Sequence, residues 1–143
     1  MNMRFLLLLM IALLLLALGC RSTNTMERPT GGTSTHMAPG SFTHKDMRAA
    51  ILKGCIDRNW RAVEINANMI EATNTVRGKH TVVVTIPYSA SSYSIDYKSS
   101  TNMDYKINSD GTISIHPNYN SWVNNLNDAI RAEIDQANIH KKK

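Results

Sequence analysis

The sequence predicts an α+β domain: an N-terminal helix, an antiparallel β-meander of about five to six strands, and a C-terminal helix, with both helices on one sheet face. Two helical apolar stripes bracket a long stretch of alternation. Met47, Ala50, Ile51 and Cys55 recur at helical spacing, as do Trp122, Val123, Leu126, Ala129, Ile130, Ile134 and Ala137. From Trp60 to Ile115 the period changes to two, and clusters of Asn, Gly and Ser turn the chain between runs. Each helix has one stripe to bury, and one face of a sheet can take both.

Residues 1–19 precede the domain and read as a signal peptide. Met1 to Arg4 carries one positive charge, and Phe5 to Leu18 is an unbroken apolar run. As a helix this run would be about 21 Å long at roughly 1.5 Å per residue, short of a bilayer core of about 30 Å. It fits the apolar region of an export signal better than a membrane span. Leu16-Ala17-Leu18-Gly19-Cys20 resembles the lipobox of bacterial lipoproteins, with Ala17 and Leu18 where that family usually has Leu and a small residue. The resemblance implies cleavage between Gly19 and Cys20 and acylation of the Cys20 sulfur. Arg21, rather than Asp, follows the cysteine, which by resemblance to enterobacterial sorting favours the outer membrane.

Residues 20–42 read as the lipidated cysteine and a flexible tether. Arg21 to Gly40 is rich in Ser, Thr, Gly and Pro and offers too little apolar surface to offset the entropy of ordering it. A coil of about 20 residues has a typical end-to-end distance of roughly 25 Å, enough to let the domain move off the lipid surface.

The globular domain is expected over 43–139. Thr43 is placed to cap the first helix, with Asp46 three residues on in the favourable first turn. Trp60, Val63 and Ile65 begin the strands, Asn66 to Asn68 turns, and Ile70, Ala72, Asn74 and Val76 alternate in the next. Gly78 supplies a left-handed turn residue. In His80 to Tyr88, Val82, Val84 and Ile86 face one way and Thr81, Val83 and Thr85 the other. Tyr93, Ile95 and Tyr97 share a face, and a last hairpin runs from Tyr105 through Ser109-Asp110-Gly111 to Ile115. Pro117 opens the final helix, whose stripe is interrupted at Glu133. Residues 140–143 form a basic tail.

Net charge is +5, but it is not on the domain. Between His44 and Ile139 there are ten Lys or Arg and ten Asp or Glu; the excess lies in Arg4, Arg21, Arg28 and Lys141 to Lys143, against Glu27. A nucleic-acid footprint would cluster on the domain, so no nucleic-acid partner is expected. With Cys20 acylated, Cys55 has no partner for a disulfide and reads as a small buried hydrophobe.

No catalytic constellation is legible. Ile115-His116-Pro117-Asn118-Tyr119-Asn120-Ser121-Trp122 is the densest polar and aromatic segment, at a strand-to-helix junction. His116 could serve as an acid or base beside Tyr119 and Asn120, but capping and anchoring of the helix is the stronger reading. Ser94, Asp96, Ser99 and Ser100 could be drawn into a triad with His116, yet there is no nucleophile elbow. No paired metal-ligand motif or phosphate loop is present, and no cofactor is expected. Tyr88, Tyr93, Tyr97 and Tyr105 read either as packing or as an aromatic patch for a peptide or glycan strand.

A broader resemblance rests on Trp60, His80, Tyr93-Ser94-Ile95-Asp96-Tyr97-Lys98-Ser99, and Ile115-His116 through Tyr119-Asn120, Trp122-Val123 and Leu126. On these residues, 46–134 resembles a group of small proteobacterial lipoproteins of unknown function. The resemblance implies export and this fold, and no activity. The expectation is therefore a lipid-anchored envelope protein facing the periplasm, a non-catalytic binding or assembly module with an envelope protein or peptidoglycan as partner. Its candidate interaction surface is Tyr93, Tyr97, His116, Tyr119 and Asn120. The alternatives are an envelope hydrolase using His116, or a binder of anionic glycolipid or peptidoglycan using the basic tail.

Overall fold

A computed structural model describes residues 23–28, 30–32 and 42–141. Two helices, α1 (His44–Asp57) and α2 (Asn118–Lys141), flank a set of antiparallel strands, so the mixed α+β class expected from the sequence is the observed one. The apolar run 5–18 and the Gly19–Cys20 junction lie outside the described residues. Among the described residues no helix is long and apolar enough to cross a membrane.

α1 starts as its sequence dictates. Thr43 is extended (φ −98°, ψ 165°); its hydroxyl accepts the Asp46 N–H at 3.2 Å while the Asp46 carboxylate accepts the Thr43 N–H at 2.7 Å. This reciprocal box satisfies two amides that no helical carbonyl can reach. Phe42 and Met47 occupy the flanking staple positions and both are buried.

Four strands form the main sheet in the order β3 (Arg61–Asn66), β4 (Met69–Val76), β5 (His80–Pro87), β7 (Asp96–Thr101). The period-two pattern sets its faces. Ile70, Ala72, Val82, Val84 and Ile86 point inward and are buried, while Thr73, Thr81, Val83 and Thr85 are half-buried on the other side. The inward residues join the helix stripes, including Met47, Ile51, Val123, Leu126, Ile130 and Ile134, in one hydrophobic cluster. The β4–β5 turn uses Arg77 at φ 55° and Gly78 at φ 63°. Gly54 marks the closest approach of the two helices: a Cβ built there would lie 2.7 Å from Ile130 Cγ1 and 2.9 Å from its backbone nitrogen.

Glu133 interrupts the α2 stripe without leaving an uncompensated charge. It is 9% exposed and accepts from Lys53 Nζ at 2.6 Å, so the two helices are tied by an ion pair at the edge of the core.

The expected single meander is divided. A register shift between Val83 and Val84 bends β7 against β5, and the left-handed residues Asn102 (φ 56°) and Asp104 (φ 51°) turn the chain out of the main sheet. The last hairpin, β8 (Lys106–Ile107) and β9 (Ile113–Ile115), therefore builds a separate three-stranded sheet of order β1-β9-β8. Its third strand, β1 (Asn24–Thr25), comes from the stretch expected to be tether. A further strand from that stretch, β2 (Thr30–Gly32), pairs with β6 (Ser92–Ser94).

The tether expectation over 20–42 is thus corrected at 24–25 and 30–32. Composition tests whether side chains can bury enough surface; these strands are held by backbone pairing, which Ser, Thr and Gly permit. The basic-tail expectation over 140–143 is corrected at 140–141, because α2 continues to Lys141, while 142–143 lie outside the described residues. Lys141 pairs with Asp46 and lies 5.6 Å from the Phe42 ring centroid.

Candidate functional site

Tyr97 and Tyr105 stack in parallel, with ring centroids 4.7 Å apart and planes 5° from coplanar. Tyr97 comes from β7 and Tyr105 immediately precedes β8, so the stack bridges the four-stranded and three-stranded sheets. On its inner side Tyr97 meets the edge of Tyr119 at 5.9 Å, 70° between planes, and its hydroxyl lies 3.0 Å from Ser100 Oγ. A buried ring fixes the orientation of a half-buried one, which positions the exposed third.

The stack forms one wall of a cleft of about 350 Å³ whose other residues are Met26, Glu27, Arg28, Asp96 and Ile113. That volume is in the range of small-ligand sites. Strand register explains the lining. Ile107 lies opposite Ile113, and the Met26 N–H bonds to the Ile113 carbonyl at 2.9 Å, which aligns Ile107, Ile113 and Met26 in a row across the small sheet. At the mouth Arg28 forms an ion pair with Asp96, whose carboxylate also accepts from Ser94 Oγ at 3.2 Å. The Asp96 carboxylate, through that hydrogen bond and its charge, holds the Arg28 guanidinium still more firmly protonated than usual.

The N-terminal wall is clamped by Asn120. Its Nδ2 donates to the Thr25 carbonyl at 2.7 Å, and its Oδ1 accepts the Glu27 N–H at 2.9 Å. Asn124 Nδ2 adds a bond to the Glu27 carboxylate at 2.7 Å. The first two turns of α2 thereby hold residues 25–27 with side-chain amides in place of a neighbouring strand.

The residues expected to form an interaction surface separate. Tyr97 lies in the cleft wall. Tyr93 is 4% exposed and its hydroxyl donates to Asn127 Oδ1 at 2.8 Å, so it is an internal residue joining β6 to α2. Tyr119 is fully buried, and Asn120 is 8% exposed behind the N-terminal segment. Burial pushes the hydroxyls of Tyr93 and Tyr119 above the usual phenol range. Period-two spacing puts Tyr93, Ile95 and Tyr97 on one side: Tyr93 and Ile95 are buried in the core, and Tyr97, half-buried, packs against it from the cleft wall.

His116 is half-buried at the start of α2. Its Nδ1 accepts the Asn118 N–H at 3.2 Å, its own N–H bonds to the Met103 carbonyl at 2.7 Å, and its carbonyl accepts the Tyr119 N–H at 2.9 Å. These are the bonds of a helix entrance. The fold also brings the His80 ring to 5.6 Å from it, centroid to centroid, and His80 Nδ1 contacts the Asn102 carbonyl at 2.8 Å. Among the described residues no group of three His, Cys, Asp or Glu is placed to hold a metal ion.

Sequence reasoning missed Met26, Arg28 and Ile113 as cleft residues. Met26 was legible only as an isolated apolar residue in a polar stretch, and Arg28 as part of the excess positive charge. The chain matches no protein-family model, no curated protein and no solved structure.

Proposed function

We propose that this chain is a lipid-anchored binding or assembly module of the bacterial envelope, held in the membrane through an acylated Cys20 after cleavage behind Gly19. The anchor reading is supported by the apolar run ending in Gly19-Cys20. The binding reading is carried by the Tyr97–Tyr105 stack: an exposed aromatic surface beside apolar Met26 and Ile113, with an ion pair at its edge. Flat rings over an apolar floor suit the faces of a sugar or the side chains of an extended peptide, and the ion pair can orient a polar end. The module works by binding, on the outer-membrane side of the periplasm.

Two measurements test this. Mass spectrometry of the mature N-terminus should find Cys20 first and acylated; another first residue, or an unmodified Cys20, overturns the anchor. A photoreactive phenylalanine analogue at position 105, in living cells, should cross-link to an envelope protein or to peptidoglycan, and the same group at position 65 should not. Absence of an adduct at 105, or equal adducts at both positions, overturns the cleft.

A further inference from the structure

We infer that the exposed edge strand β8, through Lys106 and Ile107, rests against the headgroup layer of the membrane that holds the anchor, with Tyr105 left to the cleft. The inference depends on Cys20 being lipidated and goes beyond that reading, because it assigns the face that the domain turns to the bilayer.

Chain length is the first argument. Cys20 is four residues from Asn24, where β1 begins. Four residues reach at most about 14 Å at roughly 3.6 Å each. A domain of about 100 residues has a radius of gyration near 13 Å, so this reach is well below its diameter. While β1 is paired, the acyl chains sit beside the β1 end of the domain and nowhere else.

Register is the second. Thr25 is opposite Ser114, and Ser114 is opposite Lys106. The three strands are about 4.8 Å apart, so β8 is about 10 Å from β1. Counting one residue back along each outer strand puts Asn24 level with Tyr105. The chain arriving from the anchor therefore enters at the height of Tyr105, two strands away.

The chemistry of that edge is the third. Ile107 is 64% exposed and Tyr105 40%, and Lys106 between them is exposed on the other strand face. An exposed aliphatic residue beside a lysine on one open strand suits the interfacial layer: the apolar group enters it and the ammonium stays among phosphates.

Asn120 sets this placement. By holding Thr25 and Glu27 it keeps β1 docked; released, the chain from Cys20 to the next fixed strand is longer and the domain is no longer confined to one orientation.

The test uses the full lipidated protein in vesicles of phosphatidylethanolamine with a minor fraction of phosphatidylglycerol. An environment-sensitive fluorophore is attached at Ile107→Cys or, as control, at Ile65→Cys on β3, three strands and about 14 Å from β7. Cys55 is buried and does not compete for label. Lipid carrying a nitroxide near the headgroup should quench the label at 107 by about half or more and leave that at 65 bright. In Asn120→Ala the quenching at 107 should fall while the protein still floats with the vesicles. A bright label at 107 on protein that floats overturns the inference and leaves the anchor standing, as does quenching that is the same in Asn120→Ala. Protein that does not float, with Cys20 unmodified, overturns the anchor and the inference with it.

Discussion

Asn120 donates its side-chain amide to the Thr25 carbonyl at 2.7 Å, joining residues 95 positions apart. Its oxygen accepts the Glu27 N–H, so one buried side chain supplies both a donor and an acceptor to an exposed backbone segment. The result is a strand bound on two sides: by β9 through backbone pairing and by α2 through an amide. The Tyr97–Tyr105 stack meets this strand only because Met26 and Arg28 are held in place, so the cleft depends on a contact remote from its own rings.

Asn120→Ala should lower stability by about 1–2 kcal/mol, the usual scale for losing such hydrogen bonds when the exposed partners can be rehydrated. The change should be local. Amide hydrogen exchange at Met26 and Glu27 should accelerate strongly, while Val84 in the main sheet keeps its protection. Equal acceleration at both places would show that Asn120 supports the core rather than the strand.

Gly54→Ala should destabilise the protein although alanine is the better helix former by about 1 kcal/mol. The added methyl meets Ile130 side chain and backbone at 2.7–3.0 Å, and a helix backbone cannot yield as a side-chain tip can. A net loss of about 1–3 kcal/mol in chemical denaturation is expected, as for other overpacked sites. A neutral or stabilising result would mean that the helices separate at little cost.

Much of the domain was legible because its elements obey one period each. The Thr43–Asp46 box, the buried row Val82, Val84 and Ile86, and the α2 stripe all follow from local spacing. What spacing cannot supply is the partner of a polar strand. Nothing in Asn24-Thr25 distinguishes a tether from a third strand, since the bonds that fix it come from Ser114, Ile115 and Asn120, about 90 residues on. Alternation grouped Tyr93 with Tyr97 but could not tell that one faces α2 and the other an opening between sheets. Glu133 looked like an interruption because its counterion, Lys53, is on the other helix.

Acid should weaken the start of α1. Partial burial pushes the Asp46 pKa upward, but hydrogen bonds from Lys141 and Thr43 outweigh it and hold the value at about 2, against 3.8. A depressed carboxylate contributes stability that is complete above the unfolded value and is lost as pH falls from about 4 toward 2. Asp46→Asn should cost about 1 kcal/mol at neutral pH, as for loss of a capping interaction. The gap between the two proteins in thermal denaturation should close on acidification through that window. A gap independent of pH would assign the cost to geometry and not to charge.

Alkali should weaken the core through groups that stay protonated inside it. Burial pushes the Cys55 thiol up to about 12 from 9.0, and burial likewise raises the Tyr93 and Tyr119 hydroxyls from 10.0. Below these ordinary values the groups are neutral in the folded and unfolded chain alike, and stability is unaffected. Above pH 9 the unfolded thiol ionises while the folded one does not, and above pH 10 the two phenols follow. The unfolded state is then favoured by up to about 1.4 kcal/mol per pH unit for each group, until the folded value is reached. Urea denaturation should therefore show a midpoint that is flat near neutrality and falls increasingly steeply above about pH 9. In Cys55→Ala the first part of that fall should disappear, although the variant starts lower because it leaves a small cavity against Ile51 and its neighbours. A thiol reagent added at mildly alkaline pH should react with Cys55 only as fast as the protein opens, so its rate should rise with urea. Immediate reaction in native buffer, or a midpoint unchanged above pH 9, would show that the thiol is accessible and that the packing of α1 against α2 is looser than its buried residues indicate.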